Sequence, residues 1–169
     1  MGNNCCVSIY ARRLYLQQAL TGLQQADFDL RYVSVVGKGC HAQALPMGFC
    51  HSGEQVRYFG NGSDFWENVW ALLTDAACLW IPGNGSLAAA GHIVPLMVRG
   101  LQGVEINTGF SVAGEALYGT GVPRRSIHEY ERAINAENYL LLVSGQRCEV
   151  ERACDILHCE TQQVTVHRG

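Results

Sequence analysis

The amino-acid sequence predicts an α+β domain of ferredoxin-like sandwich type, with order β-α-β, a helical glycine- and alanine-rich insertion, then α-β-α-β. Two observations carry this. Short apolar runs with the two-residue period of a strand alternate with longer runs of helical period at both ends of the chain. The 169 residues suffice for one domain with a core of its own. Three segments follow: residues 1–60 and 122–169 as the two halves of the α/β domain, and residues 61–121 as an apolar insertion between them.

The first strand is read at Cys5–Tyr10, where Val7 and Ile9 face one way and Ser8 the other. Residues 11–26 turn helical, with Leu16, Leu20 and Leu23 on one stripe and Gln17, Gln18, Gln24 and Gln25 on a polar face. A second strand follows at Leu30–Val36, closed by Gly37-Lys38-Gly39. In the last third, Pro123 opens a helix aligning Ile127, Tyr130 and Ile134, and Tyr139–Val143 is a short, wholly apolar strand. Val150, Ala153, Cys154 and Leu157 then recur at i, i+3, i+4 and i+7, and Val164 and Val166 alternate in a final strand. Four strands in so short a chain suggest one sheet with its helices on one face.

The insertion reads as helix, break, helix. A first helix is expected over Asp64–Ile81, stopped by Pro82-Gly83-Asn84-Gly85, a second from about Ser86 with Pro95 dividing it, and a third over Thr108–Leu117. Glycine is costly in a helix interior, and close helix packing is the usual compensation. The small residues Gly85, Ala89, Gly91, Gly100, Gly103, Gly109 and Ala113, with Trp66 and Trp70, are therefore assigned to a self-association surface. No run supplies the roughly 20 apolar residues of a membrane span. The insertion is expected to meet a second copy of the chain, in an oligomer or filament, or a membrane surface.

Composition narrows the function classes. Hydrophobic residues make up 48% of the chain and charged residues 16%, a low share that leaves much surface apolar or hidden. The net charge is −3 and the basic residues are scattered, against the concentrated basic face that nucleic acid needs. The opening Met1-Gly2-Asn3-Asn4-Cys5-Cys6 is unlike a secretory signal, and Cys6 stands where a myristoylation signal carries Ser or Thr. A cytoplasmic location, with the insertion peripheral to or in the inner membrane, is expected. The eight cysteines are accordingly read as reduced thiols.

Segments along the chain resemble bacterial general-stress or heat-induced stress proteins, a family with a glycine-rich hydrophobic middle. They are Val35-Val36-Gly37-Lys38 with His41; Gly53 through Gly60, that is, Gly-Glu-Gln-Val-Arg-Tyr-Phe-Gly; Phe65-Trp66 with Trp70; Trp80-Ile81-Pro82-Gly83-Asn84-Gly85; and Gly121-Val122-Pro123 through Tyr130-Glu131. The resemblance implies a stress-associated, non-enzymatic role with membrane association and supplies no catalytic residues. The chain departs from that pattern in carrying His92, Arg99 and Asn107 in the insertion, and in its cysteines.

Other chemistry is weighed against plain structural roles. Cys40-His41 and Cys50-His51, with Met47 between, offer ligands for zinc or copper(I), and a metal or redox sensor is the alternative function. Their spacing is not that of a closed metal site, so no metal and no cofactor is assigned. Cys154, His158 and Cys159 form a second cluster, of which Cys154 reads as core. Neither a nucleophile elbow, a phosphate-binding loop nor a dinucleotide fingerprint occurs, and Gly83-Asn84-Gly85 lacks the third glycine. Glu105 and Glu115 are read as helix charges or partners of Arg99 rather than a catalytic pair, and the chain is expected not to be an enzyme.

Overall fold

A computed structural model describes residues 4–38, 49–50, 68–69, 71–73, 76–81, 85–101, 110–158 and 164–167. Over these residues the chain is α+β. The strands are β1 (Asn4–Tyr10), β2 (Val33–Lys38), β3 (Phe49–Cys50), β4 (Ala76–Ile81), β5 (Gly85–Gly91), β6 (Tyr139–Gly145) and β7 (Val164–His167). The helices are α1 (Arg13–Gln25), α2 (Ile93–Leu101), α3 (Val112–Gly119), α4 (Arg124–Asn135) and α5 (Arg147–His158), with a 3-10 turn at Leu30–Tyr32 ahead of β2.

The strands form one sheet in the order β3-β4-β5-β2-β6-β1-β7, every neighbouring pair antiparallel. β6 lies inside it between β2 and β1, with Leu142 opposite Val7 of β1 and Leu141 opposite Val35 of β2. Because β1 and β2 both run against β6, they are parallel to each other, and parallel strands need a crossover, here α1. By the same geometry β6 and β7 flank β1, and α5 makes the crossover.

Both faces of this sheet are covered. On one, Leu16, Leu20 and Leu23 of α1 and Val150, Ala153 and Leu157 of α5 pack on Cys6, Val33, Val35, Leu141 and Val143. On the other, Ile93 and Met97 of α2, Ala116 and Leu117 of α3, and Ile127, Tyr130 and Ile134 of α4 pack on Val7, Val36, Ala89, Leu140 and Leu142. The expected single core is thus two cores separated by the sheet. The expected half-buried β1 is buried on both sides, with Cys5, Cys6, Val7 and Ser8 all out of contact with water.

The insertion is where the structure departs from the expected helical hairpin. In place of a helix over 64–81, helical residues occur at 68–69 and 71–72, and Ala76–Ile81 is strand β4. In place of a helix from Ser86, Gly85–Gly91 is strand β5, paired with β4 from Ala76↔Ala90 to Ile81↔Gly85 and with β2 from Ser34↔Gly91 to Lys38↔Leu87. Alanine has poor intrinsic strand preference, but a strand held between two neighbours satisfies all its backbone groups, and that outweighs propensity. Pro95 falls at the third position of α2, within the first turn where a proline lacks no hydrogen bond, so it neither kinks nor divides the helix. The expected third helix is present as α3, begun by Ser111, whose Oγ accepts from Gly114 N at 3.1 Å and donates to Glu131 Oε2 on α4 at 2.7 Å.

Gly91 decides how β5 ends. Its φ is +91°, and a Cβ there would stand 2.2 Å from the carbonyl oxygen of Val33 and 2.8 Å from Cα of Ser34, both backbone atoms that cannot yield. The turn lets α2 start directly over β2, where Ser34 Oγ accepts from Ile93 N at 3.2 Å and meets His92 Nδ1 at 3.1 Å. Gly91→Ala is therefore expected to cost on the order of 3 kcal/mol, from forced backbone displacement plus a disfavoured φ, read as a lowered midpoint in chemical denaturation. A midpoint equal to wild type would mean that β5 does not approach β2 this closely.

Candidate functional site

Of the residues expected to form a self-association surface, Ala89, Gly91, Gly100 and Ala113 pack against other elements of the chain, Gly85 lies in β5, and the rest fall outside the described residues. Ala89 and Ala113 are buried in the core shared by α2, α3 and α4, and Gly91 is pressed on β2. Gly100 of α2 faces Val112 at the start of α3, whose Cγ1 would be 2.9 Å from an added Cβ. Neighbouring Gly114 gives α3 its close approach to Ile127 and Glu131 of α4. Close packing over small residues therefore occurs, but between elements of one chain. Gly85 opens β5, and Trp66, Trp70, Gly103 and Gly109 lie outside the described residues.

Most of the metal candidates lie outside the described residues. Cys50 belongs to β3, while Cys40, His41 and His51 lie outside the described residues, as do Glu105 and Cys159. His158 ends α5, and Glu115 sits in α3. Among the described residues no group of three His, Cys, Asp or Glu is placed to hold a metal ion. None of the described helices is long and apolar enough to cross a membrane.

The described thiols are of two kinds. Cys5, Cys6 and Cys154 are buried and Cys148 is exposed. Burial pushes the Cys5 thiol up to about 12, against the lowering effect of Ser144 and Thr120 nearby. Burial also raises Cys6, with the neighbouring Cys154 and Cys5 adding to it, and raises Cys154. A thiol so far above neutrality carries almost no thiolate, the form that reacts.

Two polar pairs, one part-buried and one buried, border the second core. Ser34 and His92 serve the start of α2, as described. Tyr130 and His167 meet at 2.6 Å between the phenol oxygen and Nε2, tying α4 to the edge strand β7. Burial raises the Tyr130 phenol, while burial first and then Arg125 lower the His167 imidazole, Glu129 opposing. Both directions fit a neutral pair in which the phenol O–H donates to an unprotonated Nε2.

The outward side of α1 is unusual in having no charge. No charged residue occurs from Leu14 to Ala26. Leu14 is 58% and Tyr15 46% exposed, the largest apolar exposures among the described residues beside Tyr118 at 42%, and Tyr118 lies beneath the guanidinium of Arg124, 5.6 Å from its ring centroid. Beside Leu14 and Tyr15 runs a shallow depression lined by Gln17, Gln18, Thr21, Gly22 and Gln25. The glutamines are legible as a polar face; the signal for more was the exposed Leu-Tyr pair together with the missing charges.

Comparison of the chain with family models, with curated proteins and with solved structures finds no match.

Alkylation of the folded protein should modify Cys148 rapidly and leave Cys5, Cys6 and Cys154 unmodified until denaturant is added, as checked by peptide mass mapping. Early labelling of Cys5 or Cys6 would contradict the burial described. The pair Tyr130–His167 has a pH signature. Since His167 is held below its ordinary 6.5 in the folded chain, the unfolded chain takes up the proton first. The stability from this site is complete above about 6.5 and is lost as pH falls towards the folded-state value. Urea midpoints of wild type should therefore drop between neutral and mildly acidic pH more than those of His167→Gln; parallel curves would show that His167 is not held neutral.

Proposed function

We propose that this chain is a non-enzymatic domain that acts by associating with itself, built as a ferredoxin-like sandwich enlarged on one side. Support for the build is the strand order β7-β1-β6-β2 with α1 and α5 as its two crossovers on a common face. β3, β4 and β5 continue that sheet beyond β2, and α2, α3 and α4 line its other face. Ala89, Gly91, Gly100 and Ala113 of the insertion pack against other elements of the same chain, so an association surface is sought on α1 as well.

The observation that carries the proposal is the uncharged outward side of α1 with Leu14 and Tyr15 exposed on it. Solvated helix faces usually carry lysine, arginine, glutamate or aspartate, whereas interface centres are depleted of charge and enriched in tyrosine. The resemblance to general-stress proteins supplies a setting, a protein whose accumulation rather than turnover matters, and concentration-driven association suits that setting.

Sedimentation of the purified full chain from micromolar to millimolar concentration tests this. The average mass is expected to rise with concentration in plain buffer, without detergent or vesicles. A mass that stays monomeric across that range would remove the reading.

A further inference from the structure

Edge strand β7 is held in place by a titratable anchor. It has one strand neighbour, β1, with which it makes four residue pairs from Cys5↔His167 to Ser8↔Val164, whereas β1 makes seven with β6 on its other side. Of its side chains from position 165 on, Thr165 is exposed, Val166 is half-buried against the first core and His167 is buried. The one most removed from water is the one that can take up a proton.

Residues directly opposite in an antiparallel pair share a face, so His167 stands in a row with Cys5 of β1 and Ser144 of β6 on the side covered by α4. Tyr130 reaches that row from α4. Its phenol oxygen lies 2.6 Å from Nε2, the two rings meet edge to face, and the same phenol also bonds the Thr165 hydroxyl. Thr165 and His167, which alternate onto the same side of β7, are therefore both held by one group.

The surroundings disfavour a positive charge on the imidazole. The Tyr130 phenol and the Cys5 thiol are neutral, burial holding both above their ordinary values. Arg125 of α4 repels an imidazolium and Glu129 of the same helix attracts it, but both are exposed and screened, which leaves burial as the deciding cost. The hydrogen bond itself can reverse, since a phenol oxygen also accepts from a protonated Nε2. What the closed arrangement cannot hold is the charge, and lifting the strand gives that charge to water.

We infer that β7 is an acid-labile edge: uptake of a proton by His167 releases β7 from α4 and β1 and bares the edge of β1 over residues 5–8, while the rest of the sheet stays folded. The opening stays local because β1 keeps its seven pairs with β6 and the helices on both of its faces. Release sets in below the ordinary imidazole value of about 6.5, because the closed strand favours the neutral form. It leaves a row of unpaired backbone N–H and C=O groups on β1, the hallmark of an open sheet edge. The device does not depend on how the chain associates.

Amide-resolved hydrogen exchange of the full chain at about pH 7.5 and about pH 5, corrected for the intrinsic rate, reads this opening. Backbone groups along β1 point alternately to β6 and to β7. At the lower pH the β7-facing amides of β1, and those of β7 itself, should lose at least about tenfold of their protection while the β6-facing amides keep theirs. His167→Gln, whose side-chain oxygen can accept from Tyr130 but takes up no proton in this range, should abolish the difference. The ring-proton shifts of His167 in wild type should titrate together with the loss. Equal protection at both pH values in wild type would overturn the inference, as would a loss shared evenly by β6- and β7-facing amides, which is unfolding of the whole sheet. Undiminished acid release in His167→Gln, or a His167 titration midpoint above about 6.5, would overturn the assignment to this imidazole.

Discussion

The double-sided burial of β6 is the constraint from which the rest of the fold follows. Its residues Tyr139 to Val143 carry no charge, with Tyr139, Leu141 and Val143 in one core and Leu140 and Leu142 in the other. Strands reading as continuous apolar runs are those covered on both faces. A strand of that kind must be central, must have a neighbour on each side, and must have helices above and below. β1 and β2 supply the neighbours, α1 and α5 one cover, and α2, α3 and α4 the other. Removing either layer would expose about two or three large aliphatic side chains on β6 alone, at roughly 1.5–3 kcal/mol each.

The second layer explains why the chain interrupts a simple βαβ frame with so long an insertion. After β2 the chain extends the sheet through β3, β4 and β5 before crossing to the uncovered face. The return depends on a change of direction in little space, and Gly91 provides it by placing its backbone against Val33 and Ser34, where no side chain fits. The alanines of β5 belong to the same economy of space: Ala88 and Ala90 face the first core and Ala89 the second. Larger side chains there would hold the covering helices away from a sheet whose neighbouring strands already carry Val33, Val35 and Val36.

The frame around β6 was legible because each element repeats one period over its full length. Leu16, Leu20 and Leu23, then Ile127, Tyr130 and Ile134, then Val150, Ala153 and Leu157 all occupy the helices and faces that their spacing implies. From Ala76 to Gly91 the sequence points to helix where strands form, because alanine and glycine carry little periodic signal and weak strand preference. The Pro82-Gly83-Asn84-Gly85 run is turn chemistry that suits a hairpin as well as a helix stop, and a three-residue connection between Ile81 and Gly85 is a hairpin length. The two-faced sheet was visible in the wholly apolar 139–143 strand, whose meaning lay in the number of layers it required. The α1 surface is partly legible in the sequence: its glutamines mark a polar face, and the absence of charge from Leu14 to Ala26 is the further signal.

A low charge content has two separate structural sources. Over the whole chain, 16% charged residues looked like a demand for an outside partner. A sheet buried on both faces accounts for much of it, because a three-layer domain hides more of its chain than a two-layer one. What internal packing does not account for is charge missing at positions that face water. Gln18, Thr21, Gln24 and Gln25 are exposed, Leu14 and Tyr15 are exposed, and none of them needs to be neutral for α1 to pack through Leu16, Ala19, Leu20 and Leu23. Glutamate or lysine would serve a solvated helix there at least as well, and i,i+4 ion pairs of the kind formed by Arg147 and Glu151 on α5 would stabilise it further. α5 lies on the same face of the same sheet and carries such charges; α1 beside it carries none between its ends. The contrast is local to one helix, so its cause is local too: a neutral face with Leu14 and Tyr15 exposed has the composition of an interface centre rather than of a solvated helix side.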